Sequence, residues 1–368
     1  MHVVVVGGGA IGCAVAFALA ERRVEVTVCE RGSVAAGASG AAAGMLAPLS
    51  EAPDGGPLLA AGMEALAEFR AWREAVEKAA GIEVEASHGG TLLLARDEEQ
   101  ADQLRDRLEW QRELDPNIRW IDPAELGRVA PHLREGLAGA AHYPGEMQVT
   151  ARLYTRVLAR AAVARGARLH EETPVRSLLT DGAAVIGVEI EGGRLLADAV
   201  VLAPGANAFL LEGVGMKLPL APVKGELIRL RPIQDLPRFL LFAPSGYVAP
   251  TADGSVIVGA TERPDNESLT VAVGSVAGLL ELATDLVPSL RQASFNGAWA
   301  GLRPTLPDHL PAIGPVPGHR GLWLAVGHHR NGILLSGWTG RRLAAAMLDG
   351  SPLPAAMAPD RLLTAPSP

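Results

Sequence analysis

Three glycines near the N terminus have the spacing of a nucleotide-binding turn. Gly7, Gly9 and Gly12 follow the apolar run HVVVV and precede an apolar segment of helical character, so a strand, a glycine turn and a helix are expected in that order. The first glycine permits a tight turn, the second lets the backbone approach a pyrophosphate, and the third lets helix and strand pack closely. The helix N-terminus, including Ala10 and Ile11, would then present unpaired N–H groups to the phosphates.

A carboxylate follows this turn at a separation suited to ribose recognition. Glu30 ends the second predicted strand, VEVTVCE, close to the roughly 20-residue separation at which a carboxylate accepts hydrogen bonds from ribose hydroxyls. Because Glu30 would repel a 2′-phosphate, the pattern favours FAD or NAD over NADP. A glycine-rich turn in an unrelated α/β fold is the alternative interpretation.

A run of small residues after Glu30 favours FAD over NAD. The segment RGSVAAGASGAAAGMLAP lets the backbone approach a large flat ligand, and Ser39 within it can donate to a phosphate oxygen. Close packing of two crossing elements is the alternative reason for so many small residues. The segment resembles the loop by which FAD-dependent amine and amino-acid oxidases hold pyrophosphate and flavin. The cofactor contacts that this resemblance implies are Arg31, Ala38, Ser39, Gly44, Met45 and Leu46.

The elements that would position these residues alternate between two kinds of block. Segments with α/β character occur at the start, middle and end of the chain, and strand-rich segments lie between them. The chain is therefore expected to weave between an FAD-binding domain and a substrate-binding domain. The first would contain residues 1–81, 146–220 and 320–368, and the second residues 82–145 and 221–319. Local expectations include a helix that Gly81 ends, a strand ARLHEETPV and a final helix ILLSGWTGRRLAAAMLDG.

Further segments resemble those of one flavoprotein family. ETPVRSL resembles the strand whose backbone brackets adenine, VVLAPGANA resembles a second glycine turn, and AGLRPTLPDHLPAIGP with GHHRNGILLSG resembles a C-terminal flavin segment. Over its whole length the chain is identified as a member of the FAD-dependent D-amino acid oxidase superfamily. The resemblance implies an α/β fold (α+β overall), in which a glutathione-reductase-type, Rossmann-like FAD-binding domain is interleaved with a largely antiparallel substrate-domain sheet. It also implies cofactor contacts at Val175, Ala203, Gly205, Arg303, His329, Arg330, Asn331, Gly332, Ile333 and Leu334.

The resemblance implies a trio of residues around a substrate carboxylate. The matching positions are Tyr247 in GYVAP, Arg303 in GLRP and Arg330 in HRNG. A planar guanidinium holds a carboxylate through two parallel charge-assisted hydrogen bonds, so Arg330 is expected to anchor the acid end of an amino acid. The residues from Asn331 to Leu334 are expected to start a helix facing the flavin. An ion pair is the alternative role of Arg303, and packing on a core is that of Tyr247.

The implied reaction is FAD-dependent oxidative deamination of glycine or another small amino acid. Hydride would pass from Cα to flavin N5, O2 would reoxidise the flavin to give H2O2, and the imine would hydrolyse to a 2-oxo acid and ammonia. The similar branch of the superfamily serves thiamine biosynthesis. The alternatives are an oxidase or dehydrogenase of D-amino acids or N-substituted glycines such as sarcosine, and a flavin-binding assembly subunit without turnover. No metal is implied.

The chain departs from the family pattern at several positions. Relatives with covalent flavin use a cysteine near GLRPTLPDHLP or a histidine near Ser39; neither occurs there, so FAD is expected to bind non-covalently. Glu262 stands where related glycine-oxidising enzymes have methionine, and it is interpreted as repelling acidic substrates, as recruiting a cationic amine, or as a solvated loop carboxylate. Trp338 is expected at the seam between domains, and His328 to pack near the flavin.

Composition restricts the classes of partner. The 368 residues are 48% hydrophobic and carry a net charge of −8, which gives no basic surface for nucleic acid or anionic lipid. The apolar N-terminal segment is interrupted by glycines and is not expected to span a membrane. Two cysteines within apolar segments indicate a reducing compartment, so a cytoplasmic location is expected. The hydrophobic content and the acidic pI fit a buried subunit interface, so a homo-oligomer is expected, and the resemblance implies a small amino-acid or amine substrate and O2 as partners.

Overall fold

The computed structural model describes residues 1–87, 89–207, 209–232, 238–264 and 266–363. Within these ranges the strands, in chain order, are β1 (His2–Val6), β2 (Glu25–Cys29), β3 (Met45–Leu46), β4 (Ala86–Ser87), β5 (Thr91–Ala95), β6 (Arg119–Ile121), β7 (Gly139–Tyr143), β8 (Met147–Val149), β9 (Arg168–His170), β10 (Val175–Asp181), β11 (Ala184–Ile190), β12 (Gly193–Leu196), β13 (Ala199–Leu202), β14 (Ala221–Arg231), β15 (Leu240–Ala243), β16 (Gly246–Pro250), β17 (Val256–Gly259), β18 (Ser294–Thr305), β19 (Ala312–Pro315) and β20 (Leu322–Val326).

The α-helices of the described ranges connect these strands and cover the sheets. They are α1 (Ala10–Glu21), α2 (Ala38–Ala41), α3 (Pro48–Glu51), α4 (Pro57–Ala80), α5 (Glu98–Gln111), α6 (Pro123–Val129), α7 (Ala151–Ala164), α8 (Val273–Leu286) and α9 (Ser336–Asp349). The long helix α4 ends as expected, because Gly81 takes the left-handed conformation with φ of 68°.

The N-terminal strand lies inside a six-stranded sheet with the order β19-β20-β13-β1-β2-β9. The pairs from β20 to β9 are parallel, and β19 joins the edge antiparallel to β20. The apolar run Val3–Val6 is buried, as expected for a central parallel strand covered on both faces. Helices α1, α7 and α9 pack together on one side of this sheet and share its largest apolar core.

A second sheet has eight strands in the order β18-β14-β17-β16-β15-β5-β7-β6. Its pairs are antiparallel except for β15 and β5, which are parallel. Helix α8 packs on it and contributes to a separate apolar core. The two large sheets confirm the predicted α/β fold with an interleaved, largely antiparallel second sheet.

Two small sheets also occur within the described ranges. One contains β10, β11 and β12, and the other has the order β3-β8-β4. The sheet β3-β8-β4 pairs Met45 and Leu46, at the end of the small-residue segment, with Gln148 and Met147. It therefore joins the chain segment after the glycine turn to the segment that precedes α7.

Three local expectations need correction. Residues 312–315, placed in the substrate domain from sequence, form β19 of the six-stranded sheet because the loop VPGHRG folds them back onto β20. The expected strand ARLHEETPV is two strands of different sheets, separated where Glu172 has φ of 52° and donates its N–H to Gly32 O. The last helix begins at Ser336, after a short 3-10 turn from His329 to Asn331.

Candidate functional site

The glycine turn between β1 and α1 is closely packed against the end of β13. A side chain at Gly7 would overlap the carbonyl oxygen of Ala203, and one at Gly12 would overlap the carbonyl oxygen of Gly7. Gly7 also has φ of 114°, a conformation that other residues rarely adopt. The turn thus brings the first turn of α1, including Gly9, to the carboxyl ends of parallel strands, where open α/β sheets bind nucleotides.

Glu30 lies beside this turn, as the sequence predicts. One carboxylate oxygen accepts the N–H of Gly8 at 2.6 Å, and the other accepts the N–H of Gly32 at 2.9 Å. These bonds fix the carboxylate at the end of β2, while each oxygen keeps a further lone pair for a ribose hydroxyl. Arg31, next along the chain, is exposed.

Ser39 connects the small-residue segment to the start of α1. Its hydroxyl oxygen accepts the N–H of Ala10 at 2.9 Å, so its own proton remains available to a phosphate oxygen. The N–H groups of Ile11 and Gly12 lie in the first helical turn, where no earlier carbonyl of the helix can accept them. Helix α1 therefore presents donors and partial positive charge next to a hydroxyl donor.

The expected adenine-side residues lie near the same strand ends. Val175 begins β10, is buried, and belongs to the apolar cluster that contains Val6 and Cys29. Ala203 directly follows β13, and Gly205 after it has φ of 67°. The two glycine turns and the start of β10 are thus brought together by the six-stranded sheet and its neighbour.

A cavity of about 350 Å³ lies between the small-residue segment and the eight-stranded sheet. Its lining includes eight of the predicted site residues: Ala38, Gly44, Met45, Tyr247, Arg303, His329, Arg330 and Ile333. The indole N–H of Trp299 on β18 donates to Ala41 O at 2.9 Å, and a side chain at Gly301 would meet Ala41 Cβ at 2.5 Å. These contacts hold the small-residue segment directly against β18.

Arg303 enters the cavity from β18. Its guanidinium is partly buried, and burial lowers its pKa. Within the described residues it has no carboxylate partner, and its hydrogen bond goes to the carbonyl of Thr261 at 3.3 Å. Gly225 on the adjacent strand β14 leaves it space, because a Cβ there would lie 2.6 Å from Arg303 Cζ. The arrangement is a cation with free donors facing a cavity, which favours binding of an anion.

Tyr247 lies beside Arg303 on strand β16. The side chain is buried and its ring packs near Phe242, with 5.7 Å between ring centroids. Burial raises the pKa of its hydroxyl, so the group is a neutral donor at physiological pH. Gly259 on β17 accommodates the ring, because a Cβ there would lie 2.6 Å from the phenol Cζ.

Arg330 lines the cavity nearer to solvent. Its side chain is 44% exposed, and its guanidinium donates to Glu262 Oε2 at 2.7 Å. Glu262 is itself 47% exposed and lines the same cavity. The carboxylate in GATERPD is therefore the ion-pair partner of Arg330. Of the two arginines in the trio, Arg303 is the one that has no carboxylate partner within the described residues.

Glu51 is a cavity residue that sequence reasoning missed. It ends helix α3 and lines the cavity with Tyr247 and the two arginines. Burial raises its pKa to about 7, while Arg330 and then Arg303 oppose the shift and Glu146 adds to it. Glu146 behind it is buried, accepts the N–H of Ser50 at 2.8 Å, and burial also raises its pKa to about 7. Glu51 belongs to no recognisable motif in the segment APLSEAPDG, so the sequence offered no signal for it.

The two histidines of GHHRNG have different environments. His328 is buried and its Nε2 lies 3.0 Å from Thr339 Oγ1, and burial lowers its pKa to about 3, which fits the packing role expected for it. His329 lines the cavity with φ of 46°, and burial lowers its pKa to about 4. Both rings are therefore neutral at pH 7.

The residues after Arg330 lie between the cavity and the core of the six-stranded sheet. Ile333 and Leu334 are buried in that core, and Asn331 and Gly332 are partly exposed. The expected helix start is wrong by several residues, since 329–331 form a 3-10 turn stabilised by bonds such as Asn331 N–H to His328 O.

Trp338 does not lie at the seam between domains. It is buried in the core of the six-stranded sheet, and its indole N–H donates to Glu64 Oε2 of helix α4 at 2.9 Å. The guanidinium of Arg342 covers its ring at 4.4 Å from the centroid. The residue thus fastens α9 to α4, because helical spacing directs it away from the cavity.

Other candidate chemistry is limited in the described part of the chain. The thiols of Cys13 and Cys29 are buried, and burial raises their pKa values to about 12 and about 11, so they remain protonated. No cluster of three or more potential metal ligands occurs in these ranges. None of their helices combines the length and the apolarity required to cross a bilayer.

The site fits FAD on structural grounds. The glycine turn lets the backbone approach a pyrophosphate, α1 and Ser39 supply donors for its oxygens, and Glu30 can accept from ribose. The lining from Ala41 to Gly44 consists of small residues held against β18, which suits a flat ring system. Arg303 and Tyr247 lie on the wall of the same cavity.

Comparison with known proteins agrees with this geometry. The family model described as FAD dependent oxidoreductase (DAO) matches residues 2–346. The chain is similar to a glycine oxidase of Geobacillus kaustophilus, at 39% identity over 93% of this chain and 91% of the relative. The crystal structure of glycine oxidase from Geobacillus kaustophilus superposes with a TM-score of 0.92, at 37% identity and with 97% of each chain covered.

A fused relative extends the comparison. The bifunctional protein ThiO/ThiG of Synechocystis is 33% identical over 100% of this chain and 55% of its own length. The family match covers most of the chain, and the glycine turn, the carboxylate of Glu30 and the small-residue cavity are those an FAD site requires. The chain belongs to the DAO family of FAD-dependent oxidoreductases, and FAD is its cofactor.

Proposed function

We propose that the chain is an amino-acid oxidase that acts on glycine or a similarly small amino acid. The observation that carries the proposal is the Arg303 guanidinium, a partly buried cation without a carboxylate partner in the described residues, beside the buried hydroxyl of Tyr247. A buried cation left uncompensated is costly, so the pocket favours an anionic ligand group. The similarity to glycine oxidases supports an amino-acid carboxylate as that group.

The carboxylate would bind mainly to Arg303, with a further hydrogen bond donated by the Tyr247 hydroxyl. A guanidinium offers a fork of donors that matches the two oxygens of a carboxylate. Arg330, at the mouth and paired with Glu262, would add positive potential without being the main anchor. This shifts the expected anchor from Arg330 to Arg303, because Arg330 already has a carboxylate partner.

Glu51 is the proposed proton acceptor for the substrate ammonium. An amine must lose its ammonium proton before it can give up a hydride from the adjacent carbon. Glu51 lines the cavity, and its pKa of about 7 allows the ionised form to accept a proton near neutral pH. Because Glu51 shares one cavity with Arg303 and Tyr247, it can act on the amino end of a ligand whose carboxylate those two residues bind.

The chemistry that FAD supplies when bound is acceptance of two electrons from the substrate C–H bond. We propose that Gly7, Gly9, Ser39 and Glu30 hold its pyrophosphate and ribose. Non-covalent binding is supported by the two cysteines, which are buried in apolar clusters and do not line the cavity.

The remaining proposals concern the electron acceptor, the oligomeric state, the cellular location and the pathway. We propose O2 as the electron acceptor, a homo-oligomeric state and a cytoplasmic role in thiamine biosynthesis. Similarity to the fused ThiO/ThiG relative supports the pathway. Strongly exposed apolar side chains are available for subunit contacts, and they include Val273 at 86%, Leu269 at 62% and Phe295 at 53% exposure. Light scattering of the purified protein tests the oligomeric state.

Substrate oxidation is tested with a panel of small amines. Peroxide release is measured with glycine, sarcosine and D-alanine, and with methylamine as the control that lacks a carboxylate. The same compounds are added under nitrogen while the visible absorbance of bound FAD is followed. Oxidation of one or more of the three acids and not of methylamine supports the proposal. Failure of every acid to bleach the absorbance would contradict it, and bleaching without peroxide would contradict O2 as acceptor.

A further inference from the structure

Glu262 places a carboxylate of the protein itself at the mouth of the cavity. Its Oε2 accepts a hydrogen bond from Arg330 at 2.7 Å, and its Oε1 lies 3.8 Å from Nε2 of His329. Arg330 and Glu262 both line the cavity and are each about half exposed. One of the two arginines of the site therefore carries an internal counter-ion.

The backbone on both sides of Glu262 is fixed to strand β14. Thr261 donates its N–H to Glu226 O at 3.3 Å, and Arg263 exchanges hydrogen bonds with Lys224 at 2.9 and 3.0 Å. Because side chains alternate along an extended chain, Glu262 faces the side opposite to its two neighbours. Its direction toward the cavity is thus a consequence of strand pairing.

Strand β14 is joined to this segment by a buried network of hydrogen bonds around Glu226. Glu226 is fully buried and accepts hydrogen bonds from the Thr261 hydroxyl at 3.0 Å and from the N–H of Ala272 at 2.8 Å. The ammonium of Lys224 lies 3.2 Å from the same carboxylate. This buried network anchors the segment that carries Glu262, so its carboxylate remains near Arg330.

The two arginines of the cavity therefore differ in whether a carboxylate of the protein already neutralises them. Arg303 has no carboxylate partner in the described chain, whereas Arg330 is paired. A ligand with one carboxylate can be satisfied by Arg303 and Tyr247. A ligand with a second carboxylate would need Arg330 as well, and it would meet the negative charge of Glu262 there, which is unfavourable.

Given the proposed function, we propose that Glu262 is a specificity-determining residue that selects monocarboxylic amines over amines with a second carboxylate. It does so by occupying Arg330 at the cavity mouth. Iminodiacetate, the dicarboxylic analogue of glycine, is the class of substrate that it would disfavour. Removing the carboxylate should free Arg330 for the second acid group.

The proposal is tested by equilibrium binding of two non-oxidisable acids to the FAD-loaded enzyme. Acetate carries one carboxylate and malonate carries two, and calorimetry gives the dissociation constant of each at pH 7.5 and constant ionic strength. In Glu262→Gln and Glu262→Met, malonate affinity relative to acetate should rise by about tenfold, a change equivalent to about 1.4 kcal/mol. The KM ratio of iminodiacetate to glycine should fall in the same direction.

The matched control is Glu125→Gln. Glu125 also pairs with an arginine at 2.7 Å, but on the surface and outside the cavity lining. The malonate-to-acetate ratio should not change in this variant. An unchanged ratio in both Glu262 variants, or an equal change in the control, would overturn the proposal. Absence of acetate binding to the unsubstituted enzyme would instead contradict the Arg303 site on which the proposed function depends.

Discussion

Arg303 is the residue around which the proposed chemistry is organised. It lies near the C-terminal end of β18, its guanidinium faces the cavity, and its hydrogen bond within the described residues uses a single backbone carbonyl. Tyr247 and Glu51 face the same space with a neutral donor and a carboxyl of raised pKa. The three groups suit the two ends of a small amino acid.

Gly225 gives a prediction about the position of Arg303. In Gly225→Ala the new Cβ would lie 2.6 Å from Arg303 Cζ, so the guanidinium must move away from its present position. We expect KM for glycine to rise at least about tenfold, with FAD content unchanged, because misplacement of a binding group by about 1 Å weakens catalysis strongly. Steady-state kinetics measures the effect. Gly278→Ala in α8, where a Cβ meets nothing within 4 Å, is the control, and an equal rise there would contradict the interpretation.

The site residues were predictable only where they belong to motifs. Gly7, Glu30 and Tyr247 could be proposed from spacing and resemblance; Gly7 and Glu30 lie beside the start of α1, and Tyr247 lies on the cavity wall. Glu51 could not, since its role depends on burial by distant parts of the chain. The partner of Arg330 was also beyond sequence reasoning, because Glu262 is 68 residues away in sequence and only the folded chain brings the two side chains together.

At the scale of elements, the turn between β7 and β8 is joined to helix α3 by a buried carboxyl. Glu146 accepts the N–H of Ser50, and its burial raises its pKa to about 7. The apolar run HVVVV predicted β1, and the glycine at position 81 predicted the end of α4. Such patterns failed where contacts distant in sequence decide the backbone, as at Glu172, whose N–H bonds to Gly32 O and interrupts an expected strand.

Glu146 therefore predicts a pH dependence of stability. A carboxyl whose pKa is higher in the folded than in the unfolded state destabilises the fold increasingly as pH rises from about 4.5 to about 7. Glutamine at this position keeps an acceptor for Ser50 and does not ionise. Relative to the unsubstituted protein, Glu146→Gln should gain about 2 kcal/mol of unfolding free energy between pH 5 and pH 8, measured by chemical denaturation.

The control for this prediction is Glu125→Gln, because the pKa of Glu125 is lowered in the fold and not raised. Hydrogen bonding to Arg119 lowers the pKa of Glu125 below its ordinary value of 4.5, so that carboxyl is mostly ionised from pH 5 upward in both states. The difference in unfolding free energy between Glu125→Gln and the unsubstituted protein should therefore stay nearly constant from pH 5 to pH 8. A constant difference for Glu146→Gln as well would show that its carboxyl is not destabilised by burial.

At the scale of the whole molecule, the proposed FAD site joins parts of the chain that are far apart in sequence. The glycine turn comes from the N terminus, the cavity wall from β16 and β18, and the mouth from residues near β20. The weaving of the chain was predictable from alternating segment types. The place of β19 was not, because a hairpin loop adds it to a sheet otherwise built from parallel strands.

Removal of FAD should consequently destabilise the whole fold. We expect acid precipitation to release the cofactor into the supernatant. We also expect the apoprotein to have a lower Tm than the FAD-loaded protein, because binding of a ligand to the folded state adds about 2.7 kcal/mol to the free energy of unfolding at a hundredfold excess over Kd. Added FAD should restore the Tm in a concentration-dependent way. Riboflavin, which lacks the pyrophosphate and adenosine, is the control and should restore much less. Cofactor that stays with the precipitated protein would contradict non-covalent binding.

The central claim is tested most directly by anaerobic titration of the FAD absorbance with glycine in Arg303→Ala. Loss of one partner of a largely desolvated charge pair costs about 2–5 kcal/mol, so the apparent glycine affinity should fall at least about thirtyfold while FAD content is retained. A glycine affinity equal to that of the unsubstituted enzyme would contradict the account, because the carboxylate would then be bound elsewhere.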